Sequence, residues 1–289
     1  MSTTAYANTL STLPGVTRFH DLAATSAGLT AAQTGIVKGG VTFDGSKALF
    51  DGTGSIDLGD SPDFSVATTG ELTIAVAIAT DWLGKGGNGE YVHPMGKGGS
   101  NTQEWTFRYY RKGSNVGEAP QRQGRMSFYD FNAAGGLGAG AYYQDSTCPT
   151  RERFVVSVTN VAKDSVAIYV DGILRQTRPL SGYAIHATDT TSHVMLGTRG
   201  DGSGFHTGSL RLVSFASKAW NDAQVATLYK AFTTVDAPAP VVVTPPTPVE
   251  TVKPPTVDPL IVPALASTDA VANAHNALVK ALRAKGVVS

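Results

Sequence analysis

Residues 154–176, FVVSVTNVAKDSVAIYVDGILRQ, read as strand, turn, strand, tight turn, strand. Phe154, Val156 and Val158 alternate along the first strand, and Val166, Ile168 and Val170 along the second. A period of two puts each set on one face of a sheet. Asp171-Gly172 between apolar runs is a two-residue hairpin signal, since that turn needs positive φ at both central positions. Outward from this core, ELTIAVAIAT (71–80) repeats the pattern: Leu72, Ile74, Val76 and Ile78 alternate with Thr73 and small alanines. SLRLVSFA (209–216) gives a late strand. WNDAQVATLYKAF (220–232) gives the one clear helix of this region, with Asn221 as its cap and Gln224 three residues on. Val225, Leu228, Tyr229 and Phe232 of that helix are expected to face a sheet. Residues 1–235 are therefore expected to be all-β.

The whole chain has 289 residues, of which 42% are hydrophobic and 16% charged, enough to bury a core under a weakly charged surface. Lys+Arg and Asp+Glu are both 23, which argues against binding a phosphate backbone. One cysteine, Cys148, excludes an intrachain disulfide framework and a cysteine-based zinc site. No apolar run approaches the ~20 residues of a membrane span. The first residues, MSTTAYANTLSTLPGV, show neither a basic nor an apolar leader region, so synthesis and assembly in a reducing cytoplasm are expected.

Nine prolines stand between Pro238 and Pro263, against six in all the sequence before them. Proline fixes φ and removes a donor, so residues 236–265 read as an extended spacer. At about 3.1 Å per residue the stretch from Pro238 to Pro263 spans roughly 80 Å when drawn out. Residues 266–289 read as a short helix capped by Ser267 or Thr268 and stopped by Gly286. Val271, Ala274, Leu278, Ala281 and Leu282 form its narrow apolar stripe. A helix this short is marginal alone, so packing against copies of itself or another protein is expected, with docking on its own domain as the alternative.

The stretches GGVTFDGSKALFDGTGSIDLGDSPDFS, ELTIAVAIAT, VAIYVDGILRQ, VMLGTRG and GSLRLVSFASKAWNDAQVATLYKAF follow one another in an order that resembles the laminin-G-like, concanavalin-A-like jelly roll over residues 15–233. The resemblance implies two antiparallel sheets packed face to face, used for glycan or protein binding. The terminal NALVKALRAKGVVS is similar to the short helix of bacteriophage fibre proteins, head-fibre proteins included, which implies a virion protein, anchored or trimerised by that helix.

Glucan-cleaving enzymes of the same superfamily use a Glu-x-Asp-x-x-Glu strand with two carboxylates on one face. The six glutamates here, Glu71, Glu90, Glu104, Glu118, Glu152 and Glu250, never fall within five residues of each other, so that motif is absent. The histidines show no metal-ligand spacing, and the glycine stretches 84–90 and 95–101 fail the phosphate-loop spacing, which leaves loop flexibility as their reading. No cofactor is required. Calcium is the one ion to weigh, through Asp57, Asp60 and Asp63 or through Asp201, since the family often holds one at the sheet rim; turn chemistry accounts equally for those aspartates.

EWTFRYYRK (104–112) is the densest aromatic and basic cluster. Alternation puts Trp105, Phe107 and Tyr109 on one face and Thr106, Arg108 and Tyr110 on the other, one of which must be core. The candidate ligand residues are Trp105, Arg108, Tyr110, Trp82 and Tyr143, with Tyr142 as a further contributor. The expectation is a non-enzymatic phage virion protein of head-fibre or capsid-decoration type, a homotrimer on the virion surface that touches the major capsid protein and cell-surface glycans, with no nucleic-acid or membrane partner. A receptor-binding tail adhesin is the alternative, and a polysaccharide depolymerase the third reading.

Overall fold

The computed structural model describes residues 3–28, 33–81, 91–110, 124–132, 138–144, 151–181 and 188–234. The proline-rich segment and the C-terminal helix with its stripe, Val271 to Leu282, lie outside them, as do Trp82, Cys148 and the glycines of 84–90. The chain opens with α1 (Thr3–Leu10), β1 (Val16–His20), β2 (Ile36–Lys38), β3 (Val41–Phe43), β4 (Ala48–Asp51) and β5 (Ser55–Asp57). After the helical turn α2 (Val66–Thr69) come β6 (Glu71–Thr80), β7 (Tyr91–Lys97), β8 (Trp105–Tyr110), β9 (Arg125–Asp130) and β10 (Ala139–Gln144). The last elements are β11 (Arg153–Asn160), β12 (Ser165–Val170), β13 (Ile173–Arg178), β14 (Val194–Leu196), β15 (Thr207–Ala216) and α3 (Asp222–Thr233).

These strands form two antiparallel sheets. One runs β13-β12-β11-β6-β15-β4-β3, with β1 also on β15; the other runs β10-β9-β8-β7-β14-β5-β2. The all-β sandwich expected from the sequence is the observed fold. Asp171 and Gly172 have φ of 54° and 74°, the doubly positive turn that joins β12 to β13.

Leu72, Ile74, Val76 and Ile78 of β6 enter the core between the sheets, beside Trp105, Phe107, Phe128 and Phe215. The opposite face of the same sheet is also buried. Ala75 and Ala77 of β6 and Phe154, Val156 and Val158 of β11 pack under Val225, Leu228 and Phe232 of α3. The alternating set of β11 therefore faces a helix, and Val155 is the residue it sends between the sheets. The expected cap of α3 is present: Asn221 accepts from the Gln224 N–H, and the Gln224 side chain accepts in return from the Asn221 N–H.

Helix α1 is an element the sequence reading did not expect. TTAYANTL has β-branched and polar residues and no charged ends, so local propensity is weak. Docking supplies the stability instead. Tyr6 and Leu10 are buried in the layer under α3, and the Tyr6 hydroxyl lies 3.2 Å from Ser214 Oγ. One sheet is thus covered by α1 and α3; among the described residues the outer face of the other carries no helix.

Candidate functional site: the outer face of the second sheet

Register lines up Gly140, Tyr129, Thr106, Gly96, Met195 and Asp57 in one row across the outer face of the second sheet; Thr106 in its middle is buried, whereas Gly140 and Tyr129 are half-buried. Tyr142, Ser127 and Arg108 form the adjacent row. The Arg108 guanidinium carbon lies 3.8 Å from the centroid of the Tyr129 ring and 4.5 Å from that of Tyr91. A planar cation between two rings is held in one orientation at little entropic cost. Its Nε is buried and meets no hydrogen-bond partner among the described residues. Tyr129 in turn stacks on Phe131, with centroids 6.0 Å apart. Gly140 permits this: a Cβ there would stand 2.4 Å from the Tyr129 ring.

A second stack lies beside the first. Arg125 is 4.1 Å above the Tyr142 ring and donates from Nε to Gln144 Oε1. Arg178, from the edge strand of the helix-covered sheet, is 5.9 Å from the same ring, and Arg175 is 4.6 Å from the Tyr143 ring. A hydrogen bond from Gln176 and the charges of Arg125 and Arg178 hold the Tyr142 phenol below its usual range.

The far end of the row is a polar cleft of about 540 Å³ lined by Lys38, Asp57, Ser100, His193, Met195 and Asp201. Its wall is built by backbone contact. Cβ atoms at Gly99 and Gly200 would stand 2.4 Å from Asp201 Cβ and 2.6 Å from the Gly98 backbone. The glycines of 95–101 therefore serve close packing of two turns, which corrects the flexible-loop reading. Between cleft and stacks sits His93, with Nδ1 2.9 Å from Thr106 Oγ1. Burial, followed by the Arg199 and Arg108 charges, lowers it to about 3, so it stays neutral at physiological pH.

The aspartates weighed for calcium each face a cation of the chain itself. Asp57 accepts from Lys38 and His193, Asp60 from Lys97, Asp63 from Arg18 and Asp201 from Arg199. Among the described residues no three His, Cys, Asp or Glu side chains converge as a metal set. Lys97 is the most developed case. Its side chain is 0% exposed, and Nζ donates to Asp60 Oδ1 (2.7 Å), Thr190 O (2.9 Å) and Ser192 O (2.8 Å), with Glu104 Oε1 at 3.1 Å. Two carboxylates and two carbonyls surround an ammonium. Glu104 also accepts from Ser65 and from the N–H and hydroxyl of Thr190. The other described glutamates are likewise engaged, Glu152 by Arg211 and Glu71 by Asn160.

Of the expected ligand residues, Arg108 and Tyr143 are half-buried and reach the surface. Trp105 does not: it is 0% exposed and donates from Nε1 to Phe64 O within the core. Tyr110 is on the expected face but only 1% exposed, edge-on to Tyr91 at 4.8 Å. Trp105 and Tyr110 are thus packing residues. Tyr91, Tyr129, Arg125 and Arg178 are the members that sequence reasoning missed. The alternation of RMSFYD, with Arg125, Ser127 and Tyr129 on one face, is the signal for two of them.

Solved structures share this fold at low identity. The receptor-binding domain of botulinum neurotoxin C/D mosaic serotype matches with TM-score 0.53 and 12% identity over 75% of this chain and 51% of that one. The ligand-binding domain of botulinum neurotoxin serotype D, in complex with N-acetylneuraminic acid, matches with TM-score 0.53 and 11% identity over 78% and 52%. Domain 4 of AbnA, an extracellular arabinanase from Geobacillus stearothermophilus, in complex with arabinotriose, matches with TM-score 0.50 and 12% identity over 74% and 98%. The chain thus spans about half the length of the toxin domains and nearly all of the arabinanase domain. No protein-family model matches it, and no curated protein does. At these identities the likeness is one of fold: the chain carries a two-sheet antiparallel β-sandwich, one sheet of which is covered by helices.

Proposed function

We propose that residues 1–235 are a non-catalytic glycan-binding module, presented on a phage particle by residues 236–289 in the manner of a head fibre or capsid-decoration protein. The observation that carries the binding half is the Tyr91–Arg108–Tyr129 stack on the outer face of the second sheet. Arg108 lies on the faces of both rings, so the stack offers a sugar the ring edges and a fixed guanidinium with paired donors for ring substituents. Structural neighbours with saccharides bound give this reading further support. The virion half is supported by the sequence alone, through the proline-rich spacer and the terminal helix. Its expected oligomer is a trimer held by the Val271, Ala274, Leu278, Ala281 and Leu282 stripe, with the major capsid protein as partner. Calcium is not required in this reading, because chain cations already face the four aspartates weighed for it.

A glycan array of the full chain tests the binding half. Specific signals that disappear in Arg108→Ala and Tyr129→Ala, at unchanged folding, support it; signals unaffected by both place binding elsewhere. The likeness to toxin receptor-binding domains favours a receptor-binding adhesin as the second reading. Purified adhesin would compete with phage adsorption, whereas a decoration protein would not. Release of reducing ends from a bound polysaccharide would replace both with a depolymerase.

A further inference from the structure

The stacks are rich in one charge. Arg108, Arg125 and Arg178 share the rings of Tyr91, Tyr129 and Tyr142, and Arg175 follows on the same edge strand as Arg178. Arg108 and Arg125 are diagonal neighbours on β8 and β9, since Arg108 pairs with Ser127. Arg175 and Arg178 are exposed, Arg108 is half-buried and Arg125 is 8% exposed, so the exposed pair leads the contact with a ligand. In a chain of zero net charge, four arginines on one border need a reason. Among the described residues, ion pairs go elsewhere: Asp171 serves Arg151 and Arg153, and Glu152 serves Arg211. None joins a carboxylate to these four. Tyrosine faces hold the guanidinium planes in place without neutralising them, so the positive field stays directed outward.

We infer that this border recognises an acidic saccharide, a uronate or sialate whose carboxylate pairs with the guanidinium groups while its ring packs beside Tyr142. This deepens the glycan-binding reading and rests on it. Guanidinium and carboxylate match as two parallel N–H···O bonds, a geometry that lysine cannot reproduce. A sugar acid in turn supplies the negative charge that the border lacks.

The test compares polygalacturonate, alginate and polysialic acid with their carboxyl-reduced forms, neutral dextran and galactan, and polyglutamate, a carboxylate polymer without sugar rings. The full chain is expected to bind at least one acidic polymer, about 10- to 100-fold more tightly than its reduced form. Added salt should weaken this binding. Arg178→Ala, at an exposed position, should reduce it without altering the melting temperature, and Arg108→Lys should reduce it despite keeping the charge. Equal binding of acidic and reduced forms overturns the inference and leaves the glycan reading standing. Equal binding of polyglutamate overturns it in favour of a general polyanion surface. Binding to none of the polymers overturns it together with the glycan reading of this face.

Discussion

Lys97 and Arg108 stand on neighbouring strands of one sheet and meet opposite fates. Lys97 points inward, where two carboxylates and two carbonyls close around its ammonium. Arg108 points outward between two tyrosine rings, with no carboxylate among the described residues set against it. A buried charge must be compensated within the fold, because unpaired burial costs far more than any packing returns. A half-buried guanidinium on aromatic faces stays hydrated at one edge and needs no internal partner. The difference separates a cation that holds the sandwich together from one that remains available to a ligand.

Removing each cation should therefore have different consequences. Lys97→Met leaves Glu104 buried without its ammonium, and a loss of about 3–5 kcal/mol in denaturant unfolding is expected. If Lys97→Met is neutral, the cage is not a structural clasp, and the contrast with Arg108 fails.

The inner face makes a second prediction, through Asp130. Burial raises its carboxyl to about 7 from 3.8, with the Thr159 hydrogen bond opposing and the Glu104 charge adding. Between these values the folded chain keeps a proton that the unfolded chain has released, so stability falls as pH rises from about 4 to 7 and is level above that. Asp130→Asn should remove that slope. It should be more stable than the parent at pH 8, by an amount on the order of a few kcal/mol, and close to it at pH 4. Parallel stability curves would show that Asp130 is not protonated in the fold.

Smaller effects belong to the outer face of the second sheet. Gly140→Ala drives a methyl against the Tyr129 ring and should cost about 1–3 kcal/mol. It should also weaken glycan binding, by tilting the ring away from Arg108. The smallest stability change, about 1 kcal/mol, is expected for Arg108→Ala, although its loss of binding should be the largest of the set. A large destabilisation by Arg108→Ala with binding retained would reverse the assignment of the two cations.

The fold was legible in the sequence because period-two strands, the Asp171-Gly172 turn and the Asn221 cap are local signals. Helix α1 was not legible, because Tyr6 and Leu10 are stabilised by a layer contributed by distant strands. The site was legible only in part. Alternation in β8 correctly set Arg108 opposite Trp105, yet could not say which face is core. It also gave no means of seeing that Tyr91, Tyr129 and Tyr142 converge from three other strands, which is a matter of register. The aspartates had a similar fate. Asp60 in a turn looks like a calcium ligand until the fold brings Lys97 to it from 37 residues away.

The most direct test removes the rings and leaves every charge in place. The full chain and its Tyr91→Ala/Tyr129→Ala variant would be compared on one glycan array, with thermal unfolding of both as the control for folding. Loss of the array signal with a cooperative transition preserved is the predicted result. An undiminished signal in the folded variant would contradict the account, because the stack would then not be what the outer face of the second sheet presents to a glycan.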